Sequence, residues 1–105
     1  MIGYFKNKYH IAIFGEDTSV IELLTKKVKR LYVNNNIVIE VYNTTQSLFE
    51  AILVSNALHK PFDLAVLSGT ESDLQQRILK ECSPYLEVII CNDVKENGSI
   101  KCIIS

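Results

Sequence analysis

Ser68 follows the apolar run Leu64 to Leu67 and precedes Gly69 and Thr70. In an open parallel sheet, ligands bind beyond the carboxyl ends of the strands, so a hydroxyl at this position faces any crevice the fold builds. A serine becomes a nucleophile only when a neighbouring base takes its proton, and no histidine or lysine stands in a motif position to do so. The simpler role for Ser68 is to bond the turn at Gly69. Glu16 and Asp17 follow another apolar run, Ile11 to Phe14. Paired carboxylates suit a hard divalent ion such as Mg²⁺. An acidic pair at a helix start is also favoured by the helix dipole with no ion present, so neither a metal nor any other cofactor is expected. His10 precedes the first apolar run and His59 ends a helical pattern, so both read as surface or capping residues rather than catalysts. Cys82, Cys91 and Cys102 are odd in number and contain no C-x-x-C pair, so they read as small apolar side chains in reduced form.

The elements that must position these residues alternate along the chain. Ile11 to Phe14 reads as a buried strand, followed by a helix with a Ser19/Glu22 capping box. That helix carries Ile21, Leu24, Val28 and Leu31 at helical spacing, widened by Val20, Leu23 and Tyr32, and Asn34 to Asn36 stop it. Ile37 to Tyr42 is β-branched and places Glu40 on an exposed position, as suits an edge strand. A second helix runs to about His59 with Leu48, Phe49, Ile52, Leu53 and Ala57 as its inner stripe, and Pro61 closes it. The run Leu64 to Leu67 is apolar throughout, which is the signature of a central strand covered on both faces. A short helix from a Thr70/Asp73 cap to Cys82 has Leu74, Ile78 and Leu79 inward and Gln75, Gln76, Arg77 and Lys80 outward. Leu86 to Cys91 and Ile100 to Ile104 complete the strands, with a loop between them. Strand and helix alternating three times, then two further strands, imply one α/β domain over residues 1–105.

Composition narrows the function classes. Hydrophobic residues make up 48% and charged residues 22% of the chain, ordinary for a compact fold and unlike a disordered one. The net charge is −1, so there is no general electrostatic attraction to nucleic acid, and Lys26, Lys27, Lys29 and Arg30 read as one solvated helix face. No segment approaches the roughly 20 apolar residues that span a bilayer, and the amino terminus lacks an apolar stretch of signal-peptide length. A cytoplasmic protein is expected, with no membrane partner and no nucleic acid bound by this chain itself.

Several segments, taken together, resemble the receiver domain of bacterial response regulators in two-component systems, most closely the receivers of LytTR-type regulators. They are IAIFGED, NIVIEVYNTTQSLFEAIL, PFDLAVLS and YLEVIICND. The resemblance implies a flavodoxin-like, doubly wound parallel sheet of five strands in the order 2-1-3-4-5. Here it lacks the last helix and the fourth. Receivers accept a phosphoryl group on an aspartate at the end of the third strand, beside a metal held by acids after the first. In this chain the acceptor position falls on Ser68 and the acidic pocket on Gly15 and Glu16, with Asp17 next. The switch hydroxyl falls on Asn92, and the lysine after the fifth strand falls on Ser105.

The resemblance therefore implies a degenerate receiver, not an enzyme, that signals in a phosphorelay setting through protein contact without aspartyl phosphorylation. With no fifth helix, apolar positions among Leu67, Val88, Ile90, Cys102 and Ile104 would be left partly uncovered, which implies a protein partner or a dimer formed through the last strands. Two alternatives are a small α/β ligand-binding or catalytic protein using a crevice of Glu16, Ser68, Thr70 and Asn92, and the regulatory domain of a longer DNA-binding regulator. Nothing within the chain resembles a helix-turn-helix.

Overall fold

A computed structural model describes residues 8–32, 36–94 and 99–104, with 92–94 and 99–104 described by their backbone alone. Four strands, β1 (Tyr9–Phe14), β2 (Ile37–Tyr42), β3 (Leu64–Leu67) and β4 (Glu87–Val94), pair in the order β2-β1-β3-β4. All three pairings among them are parallel, with Phe14 level with Tyr42 on one side and Leu67 on the other, and Leu67 level with Ile90. Helices α1 (Thr18–Leu31), α2 (Thr45–Ala57) and α3 (Ser72–Cys82) supply the crossovers. The result is an α/β fold compatible with a flavodoxin-like arrangement. As expected, β3 is buried at every position, and Glu40 is exposed on the edge strand β2.

The two-residue period of the strands sorts the core into two layers. Ala12, Phe14, Ala65, Leu67 and Val88 pack against Leu48 and Ile52 of α2 and Leu79 of α3. Ile11, Ile13, Leu64, Val66 and Cys91 face α1 through Val20, Leu24 and Val28. Leu67, Val88 and Ile90, expected among the uncovered positions, are therefore buried, the first two under α2 and α3. The less enclosed apolar surface lies on the other face, in a groove of ≈ 160 Å³ beside α1 that includes Leu31, Tyr32, Leu64, Val66, Ile89 and Cys91.

The last strand departs from the parallel expectation. Ser99–Ile104 (β5) pairs antiparallel with β4, Ile100 opposite Asp93 and Ile104 opposite Ile89. The physical reason is connection length. Only four residues separate Val94 from Ser99, whereas a parallel return needs a crossover of about a dozen residues or more. The parallel sheet is thus one of four strands. β4 also continues past Cys91 to Val94, because its pairing with β5 extends it through Asn92 and Asp93.

Local details differ for similar reasons. The N-cap of α1 is Asp17, not Thr18 or Ser19, and α3 begins after Glu71 with no side-chain cap bond in place of the Thr70/Asp73 cap. The inner face of α3 is Ser72, Gln75 and Leu79, while Leu74 is 52% exposed. Leu31 and Leu53, expected inside, are 66% and 53% exposed. His59 ends the turn after α2 with φ 59°, a left-handed conformation. Cys82 is free and exposed, whereas Cys91 is disulfide-bonded, which corrects the expectation of three reduced thiols.

Candidate functional site

The parallel pairing of β1 with β3 brings the residues after Phe14 beside those after Leu67. Gly15, Glu16 and Asp17 thus meet Ser68, Gly69 and Thr70 at the carboxyl end of the central strands. The Ser68 amide donates to the Phe14 carbonyl (3.0 Å), extending the ladder one step beyond the strand, and the residue is only 6% exposed. Glu16 crosses between the two turns. Its Oε1 accepts a hydrogen bond from the Thr70 amide (3.3 Å), and its carboxylate lies over Gly69. Gly69 has φ +137°, a region that L residues rarely enter. A Cβ on it would stand 2.8 Å from Glu16 Oε1. The glycine is thus required by its backbone and by the carboxylate above it.

Asp17 is turned away from this contact. Its Oδ1 accepts from the Ser19 amide (2.9 Å) and the Ser19 hydroxyl (2.9 Å), closing the first turn of α1. The Ser19 amide bond, reinforced by the hydroxyl, holds the Asp17 carboxyl below the ordinary carboxylate range. The structure therefore brings the Glu16 carboxylate to the Gly69–Thr70 backbone that follows Ser68, and gives Asp17 a capping role. Among the described residues no group of three histidine, cysteine, aspartate or glutamate side chains is arranged to hold a metal ion. Asn92 lies within β4 with its backbone opposite Lys101, not in a loop after the strand. Ser105 lies outside the described residues.

The residues that close the β3–α3 turn were not legible as site residues. Ser72 Oγ donates to the Gly69 carbonyl (3.0 Å), so this later serine bonds the turn where Ser68 was expected to. Gln75, expected on the outer face of α3, is 1% exposed. Its Nε2 donates to Thr45 Oγ1 at the start of α2 (2.8 Å), and its Oε1 is buried without a hydrogen-bond partner among the described residues. The signal that could have found this pair is weak: a glutamine three residues after a serine at a helix start, with a threonine at the preceding helix's start.

A second polar cluster occupies the opposite half of the sheet. The His10 ring stacks on Phe62 with centroids 3.8 Å apart, and its Nε2 hydrogen-bonds the Glu40 carboxylate. The His10 amide donates to Asp63 Oδ2 (2.8 Å), joining the start of β1 to the residue before β3. Packed between an aromatic ring and a carboxylate, His10 is a half-buried structural residue and not the surface residue expected. Near that end, Asn56, Phe62, Asp63, Cys82, Ser83 and Tyr85 are among the residues lining a cavity of ≈ 450 Å³. It lies away from Ser68, so the crevice of the small-ligand alternative and this cavity are different places.

Fold and site together define an α/β protein in which a glutamate–amide contact joins the two turns at the tip of the central strands, beside a buried Ser68. No protein family, curated protein or solved structure matches the chain. Among the described residues, no helix is long and apolar enough to cross a membrane.

Proposed function

We propose that the chain is a degenerate, receiver-like signalling module that acts by protein contact and is not phosphorylated on an aspartate. The observation that carries this reading is a serine at the tip of β3 beside a turn whose acid, Glu16, is bonded to backbone. A labile acyl phosphate needs a carboxylate at the strand tip, and the residue there is a serine. The nearest acid is hydrogen-bonded to the Thr70 amide, and the next caps α1. A metal ion at this end would have to displace the one contact or the other. The strand order β2-β1-β3-β4 supports the receiver resemblance, since it sets the Ser68 turn beside the Glu16 turn. The reading includes a cytoplasmic location, no catalytic role, and a protein partner or second copy met through the last strands. It also leaves room for a DNA-binding domain elsewhere in a longer regulator.

The test is incubation with acetyl phosphate and Mg²⁺ followed by intact-mass measurement. No phosphoryl adduct is expected under conditions that label an aspartate-bearing receiver in the same tube. A stoichiometric adduct on Ser68 or on a neighbouring acid would overturn the reading. Sizing across a concentration series addresses the contact claim. Association is expected at high concentration or on adding the partner, and a strictly monomeric protein that captures nothing counts against it.

A further inference from the structure

We propose that Cys91 and Cys102 form a redox-operated clasp that fastens β5 to the edge of the parallel sheet. The chain has three cysteines. Cys91 is disulfide-bonded and Cys82 is free, so within one chain the partner left for Cys91 is Cys102. The backbone agrees, since the antiparallel register sets Cys91 directly opposite Cys102. Residues directly opposite in an antiparallel pair have Cα atoms about 4.5 or 5.5 Å apart, both within the span a disulfide bridges. Neither fact depends on the receiver reading.

The place in the fold gives the bond its consequence. β4 is held on one side by β3 and on the other by β5, and among the described residues no further strand lies beyond β5. β5 is therefore an element that local unfolding can release while the four parallel strands stay paired. Cys91 is 1% exposed and forms part of the apolar groove beside α1 with Leu64, Val66 and Ile89. Buried among the residues that face α1, it is reached by a reductant only through local opening of the structure around it. With the bond closed, β5 stays on β4. With the bond open, β5 is free to separate and uncovers the edge of β4 and the adjoining wall of the groove. A cross-link in a reducing compartment is usually a transient, regulatory one, and this position makes its state felt at an edge able to pair with another chain.

The chemistry balances as thiol–disulfide exchange with a small dissolved disulfide as oxidant. The two thiols lose two protons and two electrons and gain one S–S bond. The oxidant's S–S bond breaks, and it leaves as two thiols. Exposed Cys82 has no part in the bond and serves as an internal reference.

The experiment uses the full chain treated with glutathione disulfide, or with dithiothreitol, then unfolded in guanidinium and alkylated. The oxidised protein is expected to carry a single modification, on Cys82, either the alkyl group or one glutathione left by exchange with the oxidant, and the reduced protein three alkyl groups. Peptide mapping of the oxidised protein is expected to recover a Cys91–Cys102 linked fragment. Hydrogen exchange of the β5 amides is expected to quicken at least tenfold on reduction, with the β1 and β3 amides unchanged. The variant C102S is expected to exchange at the reduced rate in either buffer. Three alkyl groups after oxidation, a linkage involving Cys82, or a disulfide-linked dimer would each overturn the pairing. Equal β5 exchange in the linked and reduced protein would overturn the clasp even with the bond present.

Discussion

Gly69→Ala tests how the site is held, and its cost follows from three contributions. The φ of +137° must be adopted by a residue with a Cβ, which costs on the order of 1–3 kcal/mol. The new methyl would sit 2.8 Å from Glu16 Oε1 and 3.0 Å from its Cδ, so the carboxylate must swing out and release the Thr70 amide. Losing that exposed hydrogen bond costs about 0.5–1.5 kcal/mol. Against these, alanine restricts the unfolded chain and returns about 0.4–1 kcal/mol. The expected net loss is about 0.5–4 kcal/mol, read in urea as a lower midpoint at unchanged slope. For a domain of this size, each kcal/mol lowers the melting temperature by roughly 4–8 °C. The same substitution in a Glu16→Ala background meets the backbone strain without the carboxylate, so it is expected to cost about 0.5–1.5 kcal/mol less, which a double-mutant cycle isolates. A neutral Gly69→Ala would refute the backbone requirement, and an equal cost in both backgrounds would refute the carboxylate contact.

Two further outcomes are expected. Gln75→Met removes the bond to Thr45, worth about 1 kcal/mol, and also a buried acceptor whose isolation costs about 1–3 kcal/mol. The variant is therefore expected to match or exceed the parent by up to about 2 kcal/mol in urea unfolding, and a clear loss would mean that the amide oxygen has a partner. Tyr9, pushed up to about 12 chiefly by burial and also by the neighbouring Tyr32, binds its proton more tightly folded than unfolded. Its contribution is thus fully present below pH 10 and is lost as pH rises toward 12. Melting temperatures across that window are expected to fall less steeply in Tyr9→Phe than in the parent, and parallel curves would count against a raised phenol.

The parts of the fold legible in the sequence are those fixed by local chemistry. Ile11 to Phe14 and Leu64 to Leu67 are too apolar and too short to be anything but covered strands, and Glu40 marked β2 as an edge because a carboxylate there needs water. The parts not legible depend on neighbours far away in sequence. On α3, Leu74 and Ile78 make as good a stripe as Ser72, Gln75 and Leu79. The choice between them rests on Thr45 of α2 offering Gln75 a partner. The asparagine and aspartate after Cys91 looked like a strand end because their pairing with β5 is not a local property. The antiparallel return was missed for the same reason: the short connection, and with it the opposition of Cys91 and Cys102, emerges only once β4 is seen to run to Val94 and β5 to start at Ser99. At the site, the adjacency of the Glu16 turn and the Ser68 turn followed from strand order alone. Which amide the glutamate would bond, and which serine would hold the turn, did not.

The commitments of the two acids bear directly on what a carboxylate at position 68 would achieve. Asp17 accepts from both the amide and the hydroxyl of Ser19, and these bonds favour its ionised form and its place at the helix start. Drawing it to a metal would uncap α1. Glu16 is held by one longer bond in an exposed position, so it is the cheaper of the two to release. Its release removes the side chain lying over Gly69, and with it the contact joining the β1–α1 turn to the β3–α3 turn. An aspartate introduced at position 68 would thus meet a pocket whose acids already serve the backbone. The proposed contact-only function thus rests on how Glu16 and Asp17 are used as much as on the identity of Ser68.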